Sequence, residues 1–386
     1  MAQGFDGLSR LTRDQHLFGP GPNRLLALDG GGIRGAISVA FLVEMERLLR
    51  EEHPDARLAD WFDLVGGTST GAIIAGALAL GANTREIEEF YRERARRVFR
   101  RSLSRIPGLR SRFDAAALTA EIRRVTGERT LGSPDLVTGF ALVAKRLDTG
   151  SPWIISNNPR APYWEGDKAE GRIGNRDYRL SELIRASAAA PSYFDPEHIS
   201  VHESQRAIPF IDGGMTPHNN PAFILFLMTT LKAYGLCWPT GPGNLTIVSV
   251  GTGSYPRGEA QGATPSSPII LAFDALNTMM ENVQSQVLML MQWLGESTIP
   301  ININREVGTM PGDNLPGGPL FRFVRYDVRL APDWLEENFS GRLSSREVAS
   351  LRDIARAENI PLAYEIGREA ARKQVKPEHF GLRPRT

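Results

Sequence analysis

The stretch Phe62–Leu80, FDLVGGTSTGAIIAGALAL, combines a short apolar strand, a glycine turn and a helix of small residues. The same succession occurs earlier, where the apolar run Arg24–Asp29 meets three glycines and then a helical apolar period through about Arg50. A strand, a turn and a helix repeated in this way predict parallel βα units. The predicted fold class is therefore α/β, with helices on both faces of the sheet.

The composition is typical of a packed soluble protein and excludes some classes of function. Of 386 residues, 41% are apolar and 23% charged, and 45 basic residues against 44 acidic ones leave a net charge of +1. This balance excludes a protein that binds nucleic acid through an overall basic surface, and no nucleic-acid partner is expected. The longest clean apolar run, Ala222–Met228, is much shorter than a bilayer span, and the first residues lack the apolar core of a signal peptide. The single cysteine, Cys237, is expected to be buried and fits a reducing compartment, so we predict a cytoplasmic protein, at most peripheral at a membrane.

Four segments are predicted along the chain. Residues 1–22 form an N-terminal tail, 23–257 an α/β domain, and 258–268 a linker rich in Gly, Pro and Ser. Residues 269–386 form a mostly α-helical extension packed on that domain, because helical patterns dominate there. Assembly into a homo-oligomer is compatible with this organisation.

The chemistry begins at Ser69, the centre of a G-x-S-x-G motif between a predicted strand and a predicted helix. Such a turn is sharp and crowded, so the flanking positions must lack a large side chain, which Gly67 and Gly71 satisfy. The serine hydroxyl is lifted clear of the sheet at a helix N-terminus, whose dipole favours developing negative charge. We interpret Ser69 as a nucleophile; the alternative is a turn without chemistry.

A second motif, Asp29–Gly35, reads DGGGIRG directly after a predicted strand. Backbone N–H groups of consecutive glycines can converge on an anion. The spacing also satisfies a G-x-G-x-x-G fingerprint, with Glu51 at a suitable distance, so a nucleotide-binding module is the alternative function. If the loop lies beside Ser69, the same N–H groups make an oxyanion hole, and Arg34 adds positive charge nearby.

A third motif is Asp212, which ends another predicted strand and is followed by Gly213 and Gly214. A carboxylate with glycines behind it can be approached closely and could remove the proton of a serine. The alternative is a turn aspartate bonded to its own backbone. If Asp212 instead orients a histidine, His218 or His379 would be the base, since the order of a hydrolase triad is Ser, acid, His.

Metal sites and cofactors are not expected. The His198/His202 pair has a metal-like spacing but lies in a stretch without helical character, and we interpret it as a solvated face.

Four blocks, in this order and spacing, resemble the patatin-like phospholipases over about residues 24–255. The C-terminal stretch Ile360–Phe380 also resembles the tail of bacterial members of that family. The blocks are Leu28–Gly35 (LDGGGIRG), Gly67–Gly71 (GTSTG), Ala186–Phe194 (ASAAAPSYF) and Asp212–Pro221 (DGGMTPHNNP).

The resemblance implies a three-layer α/β/α fold with a mainly parallel central sheet, related to cytosolic phospholipase A2. It also implies a calcium-independent hydrolase that cleaves fatty-acyl esters of phospholipids with a Ser–Asp dyad and no histidine. Some bacterial relatives are effectors switched on by cyclic nucleotides in anti-phage defence, which makes a ligand-gated phospholipase the alternative. The implied roles are Ser69 as nucleophile, Asp212 as general base, Gly30, Gly31, Gly32 and Arg34 at the oxyanion, and Gly35, Gly67, Gly71, Gly213 and Gly214 as motif glycines.

Two further features bear on lipid access. The segment Arg92–Arg112 holds nine arginines and one glutamate, a net charge of +8. It is either a solvated helix face, a surface that docks on an anionic membrane, or a site for a phosphorylated ligand. The apolar stretches Phe223–Met228 and Leu276–Trp293, the second containing four methionines, are either core, a dimer surface or the lining of an acyl-chain slot.

Overall fold

Helices on both faces of a mixed, mostly parallel β-sheet build the fold. The computed structural model describes residues 10–98, 113–255, 268–313, 315–341 and 343–382. Its strands are β1 (Asn23–Leu28), β2 (Leu64–Thr68), β3 (Gly139–Arg146), β4 (Pro152–Ser156), β5 (Glu197–Ile199), β6 (Ile208–Asp212), β7 (Leu245–Val250), β8 (Glu296–Ser297) and β9 (Arg322–Tyr326).

The helices lie between and after these strands. They are α1 (Arg13–Phe18), α2 (Gly35–Glu52), α3 (Leu58–Trp61), α4 (Thr70–Ala79), α5 (Thr84–Glu89), α6 (Ala95–Val98), α7 (Ala115–Thr126), α8 (Leu180–Ser187), α9 (Ala222–Thr230), α10 (Pro268–Leu294), α11 (Pro332–Asn338), α12 (Ser345–Ser350) and α13 (Ile360–Gln374). A π-helical turn, Phe90–Arg94, joins α5 to α6. None of the described helices is both long and apolar enough to cross a bilayer.

The hydrogen-bonded order of the sheet is β5-β6-β3-β2-β1-β7-β9-β8, with β4 also paired to β3. The central strands β3, β2, β1, β7 and β9 run parallel. Strands β4 and β6 are antiparallel to β3. The carboxyl ends of the parallel strands therefore gather at one edge, where ligand sites of α/β sheets form.

Two apolar cores cover the two faces of the sheet, because side chains alternate along a strand. On β1, Leu26 and Leu28 belong to the core formed with α2, α4 and α13. Leu25 and Ala27 belong to the opposite core, with α9 and α10. The predicted three-layer α/β/α architecture is thereby confirmed.

The C-terminal helix α13 packs closely on α2. At their crossing, a Cβ on Gly367 would lie 2.9 Å from the Ile37 backbone and 3.0 Å from the Ala40 Cβ, so only glycine allows this approach. Strands β8 and β9 also come from the C-terminal part of the chain, and β9 pairs with β7 inside the sheet. The C-terminal third is therefore mostly helical, yet it completes the central sheet as well.

Two local expectations differ from the structure. Within the predicted tail, α1 is a docked helix, because Trp238 Nε1 donates to the Leu17 carbonyl oxygen at 2.9 Å and His16 Nδ1 lies 2.9 Å from Asp63 Oδ1. The prediction that Cys237 is buried is wrong: it is exposed, with a φ of 51° in the turn after α9. Its neighbours Leu236 and Trp238 take the buried positions instead.

Candidate active site

Ser69 occupies the sharp turn between β2 and α4. Its φ of 56° lies in the left-handed region, which a residue other than glycine adopts only when the surroundings enforce it. The flanking glycines are needed for packing. A Cβ on Gly67 would overlap the Gly71 backbone, and one on Gly71 would overlap the Leu28 carbonyl group. The turn thus has the geometry that the G-x-S-x-G motif predicts.

Strand pairing brings Asp212 to this turn. Residue Val143 of β3 pairs with Thr68 and Ile154, and the next residue, Ala144, pairs with Asp212 and Trp153. Strand β4 therefore occupies one edge of β3, whereas β2 and β6 share the other. Since β2 is parallel and β6 antiparallel to β3, these two strands run toward each other along this edge. Their carboxyl ends, at Thr68 and Asp212, therefore meet.

A direct hydrogen bond joins the two strand ends. Ser69 Oγ donates to Asp212 Oδ2 at 2.6 Å. The other carboxylate oxygen, Oδ1, accepts from the Gly214 N–H at 2.7 Å. Asp212 is only 5% exposed, whereas Ser69 is half-buried and reachable. A serine hydroxyl that is hydrogen-bonded to a buried carboxylate has a proton acceptor in place, which a serine nucleophile requires.

The pKa of Asp212 suits proton transfer. Burial raises this pKa to about 6, while the hydrogen bonds from Ser69 and Gly214 and the charge of Arg185 act in the lowering direction. The carboxylate is thus ionised at neutral pH and still basic enough to take a proton. A general base works best when its pKa lies near the operating pH.

The candidate histidines occupy other positions. His218 contributes its backbone carbonyl, which accepts from Thr68 Oγ1 at 2.7 Å, and burial lowers the pKa of its ring. His379 Nδ1 lies 2.9 Å from the Tyr326 hydroxyl. Within the described ranges, no histidine ring is hydrogen-bonded to Ser69 or Asp212, and no group of three or more His, Cys, Asp or Glu is placed to hold a metal ion.

The glycine loop lies directly against Ser69. The Gly30 N–H donates to the Asn219 carbonyl oxygen at 3.0 Å, and its role at the oxyanion stays a prediction. Its contribution is space, because a Cβ on Gly30 would lie 3.3 Å from the Ser69 Cβ. The N–H groups of Gly31 and Gly32 have no acceptor within the described part of the chain. They are the donors left for an oxyanion.

Arg34 adds a guanidinium group to the end of the loop. Its guanidinium carbon lies 5.3 Å from the centroid of the Tyr255 ring, on which Arg352 also stacks at 4.9 Å. Among the described residues, no carboxylate forms an ion pair with Arg34. Glu51, the acid of the dinucleotide fingerprint, instead pairs with Arg47 on the surface of α2 and lies on a helix rather than at a strand end. The acidic residue that a dinucleotide-binding fingerprint requires is therefore not in the expected place, which argues against nucleotide binding by this loop.

Sequence reasoning missed one contributor, Ser187. Ser187 Oγ accepts from the Ser69 N–H at 2.9 Å and donates to the Val143 carbonyl oxygen at 2.6 Å, which fixes the turn. Its only sequence signal is its place in the block Ala186–Phe194.

Helix α10 also flanks the site, because the Met280 Cε would lie 3.6 Å from a Cβ on Gly214. One of the four clustered methionines thus lies beside the dyad.

The arginine-rich segment falls largely outside the described residues. Positions 99–112 are not described, nor are the side chains of 96 and 97. Two of its nine arginines have described side chains. Arg92 is exposed and pairs with Glu88, and Arg94 is half-buried. Docking of this segment on an anionic membrane stays a prediction.

Comparison with known proteins agrees with this geometry. The model of the family described as patatin-like phospholipase matches residues 26–226, just over half of the chain. The chain belongs to the patatin-like phospholipase family. The match contains Ser69, Asp212 and the glycine loop, whereas α10, β9 and α13 lie beyond it. Membership supports the predicted class of enzyme, a lipid acyl hydrolase.

Several relatives share part of the chain. Proteins named cGAMP-activated phospholipase, from Escherichia coli and Vibrio cholerae, are each 32% identical, over 52% and 63% of this chain and 54% and 67% of their own. Patatin-like protein 1 of Arabidopsis thaliana is 27% identical over 62% of this chain and 61% of its own. The chain thus spans between about half and two thirds of the length of these relatives.

A solved structure was also matched. The crystal structure of VipD from Legionella pneumophila is 12% identical and covers 91% of this chain and 67% of its own, with a TM-score of 0.39.

Proposed function

We propose that this protein hydrolyses fatty-acyl esters of phospholipids through a dyad of Ser69 and Asp212. The observation that carries the proposal is the direct hydrogen bond from Ser69 Oγ to Asp212 Oδ2 at 2.6 Å, beside the Gly31 and Gly32 N–H groups, which have no acceptor among the described residues. Family membership supplies the substrate class, an ester of a lipid.

The proposed mechanism is a two-step acyl transfer. Ser69 Oγ attacks the ester carbonyl carbon while its proton moves to Asp212 Oδ2. The Gly31 and Gly32 N–H groups stabilise the tetrahedral oxyanion, and the lysolipid leaves as an alcohol that takes the proton back from Asp212. Water then attacks the acyl-enzyme with Asp212 again as the base, which releases the fatty acid and restores the serine.

The test is labelling with a fluorophosphonate, followed by mass mapping, alongside hydrolysis of mixed phospholipids. We expect a single adduct at Ser69 and release of fatty acid that requires both Ser69 and Asp212. A folded protein without label at Ser69 would exclude the proposed nucleophile. Release of fatty acid by the Ser69→Ala variant would do the same.

A second proposal concerns control of this activity. Two relatives are named cGAMP-activated phospholipase, and this observation favours a hydrolase that is gated by a cyclic nucleotide over one that is always active.

The measurement compares phospholipid hydrolysis with and without cGAMP. We expect cGAMP to raise the turnover number at least tenfold, while fluorophosphonate still labels Ser69 to some extent without it. Equal turnover in both conditions, for cGAMP and for other cyclic dinucleotides, would reject the gating and leave the dyad proposal intact.

A further inference from the structure

A cavity lies at the edge of the sheet, beside strand β4. Its volume is about 630 Å³, within the usual range of small-molecule sites. Its walls are β4, the end of β3, and the loops around residues 161–178 and 201–205; we call it the β4 pocket. Neither Ser69, Asp212 nor the glycine loop lines it. The cavity is therefore lined by residues other than those of the proposed active site.

The lining of the β4 pocket combines flat rings, guanidinium groups and amides. Trp153, Tyr163 and Tyr178 contribute rings, Arg146 and Arg172 contribute positive charge, and the remaining polar groups include Asn175 and Gln205. Aromatic faces stack on nucleobases, and guanidinium groups bind phosphate oxygens through charge-assisted hydrogen bonds. This set of groups fits a nucleotide better than an acyl chain.

Arg172 is the cation with spare donors. Its Nε is buried and has no hydrogen-bond acceptor among the described residues, and its nearest carboxylate, Asp167, lies 3.6 Å from the guanidinium. Arg146, in contrast, already donates to the carboxylate of Asp148 through Nε at 3.0 Å and Nη2 at 2.6 Å. A phosphate in the pocket would complete the coordination of Arg172 first.

Tyr163 offers an exposed stacking face. The side chain is 61% exposed, and the guanidinium of Arg172 lies 4.7 Å from the ring centroid. Its φ of 63° places a bulky residue in the left-handed region, a strained conformation of the kind that collects at ligand sites. The Asn175 N–H donates to the Tyr163 carbonyl oxygen at 2.8 Å and holds this conformation.

Glu170 at the rim adds an acceptor. It is one of the residues that line the same cavity. The guanine base carries an exocyclic amine that such a group can accept from, whereas it would repel a phosphate. The distribution of charge thus suits a ligand with both a purine edge and a phosphate.

The β4 pocket is connected to the dyad through the sheet. Trp153, in its wall, pairs across β3 with Ala144, and Ala144 pairs on its other edge with Asp212. The Trp153 ring also lies 4.7 Å from the ring of Phe210, two residues before Asp212 on β6. A ligand that shifts Trp153 therefore acts on the strand that carries the proposed base.

We propose that the β4 pocket binds a purine cyclic dinucleotide and is the site from which the ligand controls the dyad. A base stacks on Tyr163 or Trp153, and a phosphate is held by Arg172. This inference rests on the proposed gating, for which it names a binding site.

The test is calorimetric titration of the full chain with cGAMP, cyclic di-GMP and cyclic di-AMP. For the dinucleotide that binds, Arg172→Gln should raise the Kd by about tenfold, because a charge-assisted hydrogen bond is lost. Tyr163→Asn should weaken it by about as much, because a stacking face is removed while asparagine tolerates the left-handed backbone. Arg176→Gln is the matched control: this arginine lies on the same loop, pairs with Glu165 at 2.7 Å and does not line the cavity.

The outcomes separate this site from the proposed function. Binding by none of the three dinucleotides, or binding that neither variant weakens, would overturn the β4 pocket as the site. Fluorophosphonate labelling of Ser69 without nucleotide checks that each variant is folded and tests the dyad independently. If Ser69 is labelled and phospholipid is hydrolysed while binding is absent, the pocket proposal fails and the dyad proposal stands.

Discussion

Two buried aspartates in this protein share a sequence pattern and differ in their partners. Asp29 follows β1 and Asp212 ends β6, and each precedes consecutive glycines. Both are almost fully buried, and burial raises the pKa of each to about 6. Judged from the motif alone, either could be a catalytic base.

Their partners decide the difference. Both oxygens of Asp29 accept from Arg325, at 2.9 and 2.7 Å, and this arginine is fully buried and also bonded to Ser249 and Asp327. Among the described residues, Asp212 accepts only from the Ser69 hydroxyl and the Gly214 N–H. A buried carboxylate that is paired with a buried arginine supports structure, whereas one that faces a hydroxyl keeps the capacity to take a proton.

The largest expected effect is on catalysis. Ser69→Ala and Asp212→Asn should each lower kcat/KM for phospholipid by roughly 10⁴-fold, and the double variant should be little worse, since the two residues act as a unit. The measurement is fatty-acid release from vesicles. Asp29→Asn is the comparison: if it lowers kcat as much in folded protein, the distinction between the two aspartates breaks down.

The next effect is on stability and separates the partners of the two aspartates. Arg325→Met should destabilise the fold by about 3 kcal/mol at neutral pH, because it leaves the Asp29 carboxylate buried without its arginine. Asp212→Asn should stabilise it, by on the order of 2 kcal/mol, because the amide keeps both hydrogen bonds without burying a charge. Urea unfolding measures both.

The pH dependence checks the sign for Asp212. Its pKa is higher in the folded protein than in the unfolded chain, so the proton adds stability that is complete below the ordinary aspartate pKa. This stability is lost as the pH rises through about 6. The advantage of Asp212→Asn should therefore be full above pH 7 and vanish near pH 4. An advantage that does not change with pH would contradict a raised pKa.

The smallest effect concerns the pH profile of activity. Because Asp212 must be ionised to accept the serine proton, kcat/KM for a soluble ester should rise with pH and level off above about 6. His218→Ala should change kcat/KM by less than about threefold and leave its rise with pH in place, since the ring is not hydrogen-bonded to Ser69 or Asp212. If the rise of kcat/KM with pH disappears in the His218→Ala variant, the base is the histidine.

Local motifs were read correctly where sterics act over a few residues. The turn at Ser69 needs glycine at 67 and 71 because a side chain there would overlap the backbone, and this requirement is visible in the sequence. The α/β architecture followed from two strand–glycine–helix repeats in the same way. Hydrogen-bond partners were harder: Gly30 looks like its two neighbours, but its N–H is taken by Asn219 from a distant loop.

Burial and long-range pairing account for the remaining differences. Cys237 was expected inside because cysteine is a small apolar residue, and only the fold reveals that Leu236 and Trp238 fill that space. The tail helix α1 is too short for its pattern to be recognised, and contacts with Asp63 and Trp238 hold it in place. The β4 pocket is assembled from segments between residues 146 and 234 that carry no common motif.

The sequence by itself determined the turn at Ser69, the glycine loop, the two aspartate motifs and the family, because each depends on residues close together in the chain. The tertiary structure decided which aspartate is free to act. Arg325 lies 296 positions from Asp29 in the chain, and Ser69 lies 143 from Asp212, so only the pairing of strands brings these partners together. Burial then sets the proton affinity of both carboxylates, and the neighbour that each meets in the sheet determines its role.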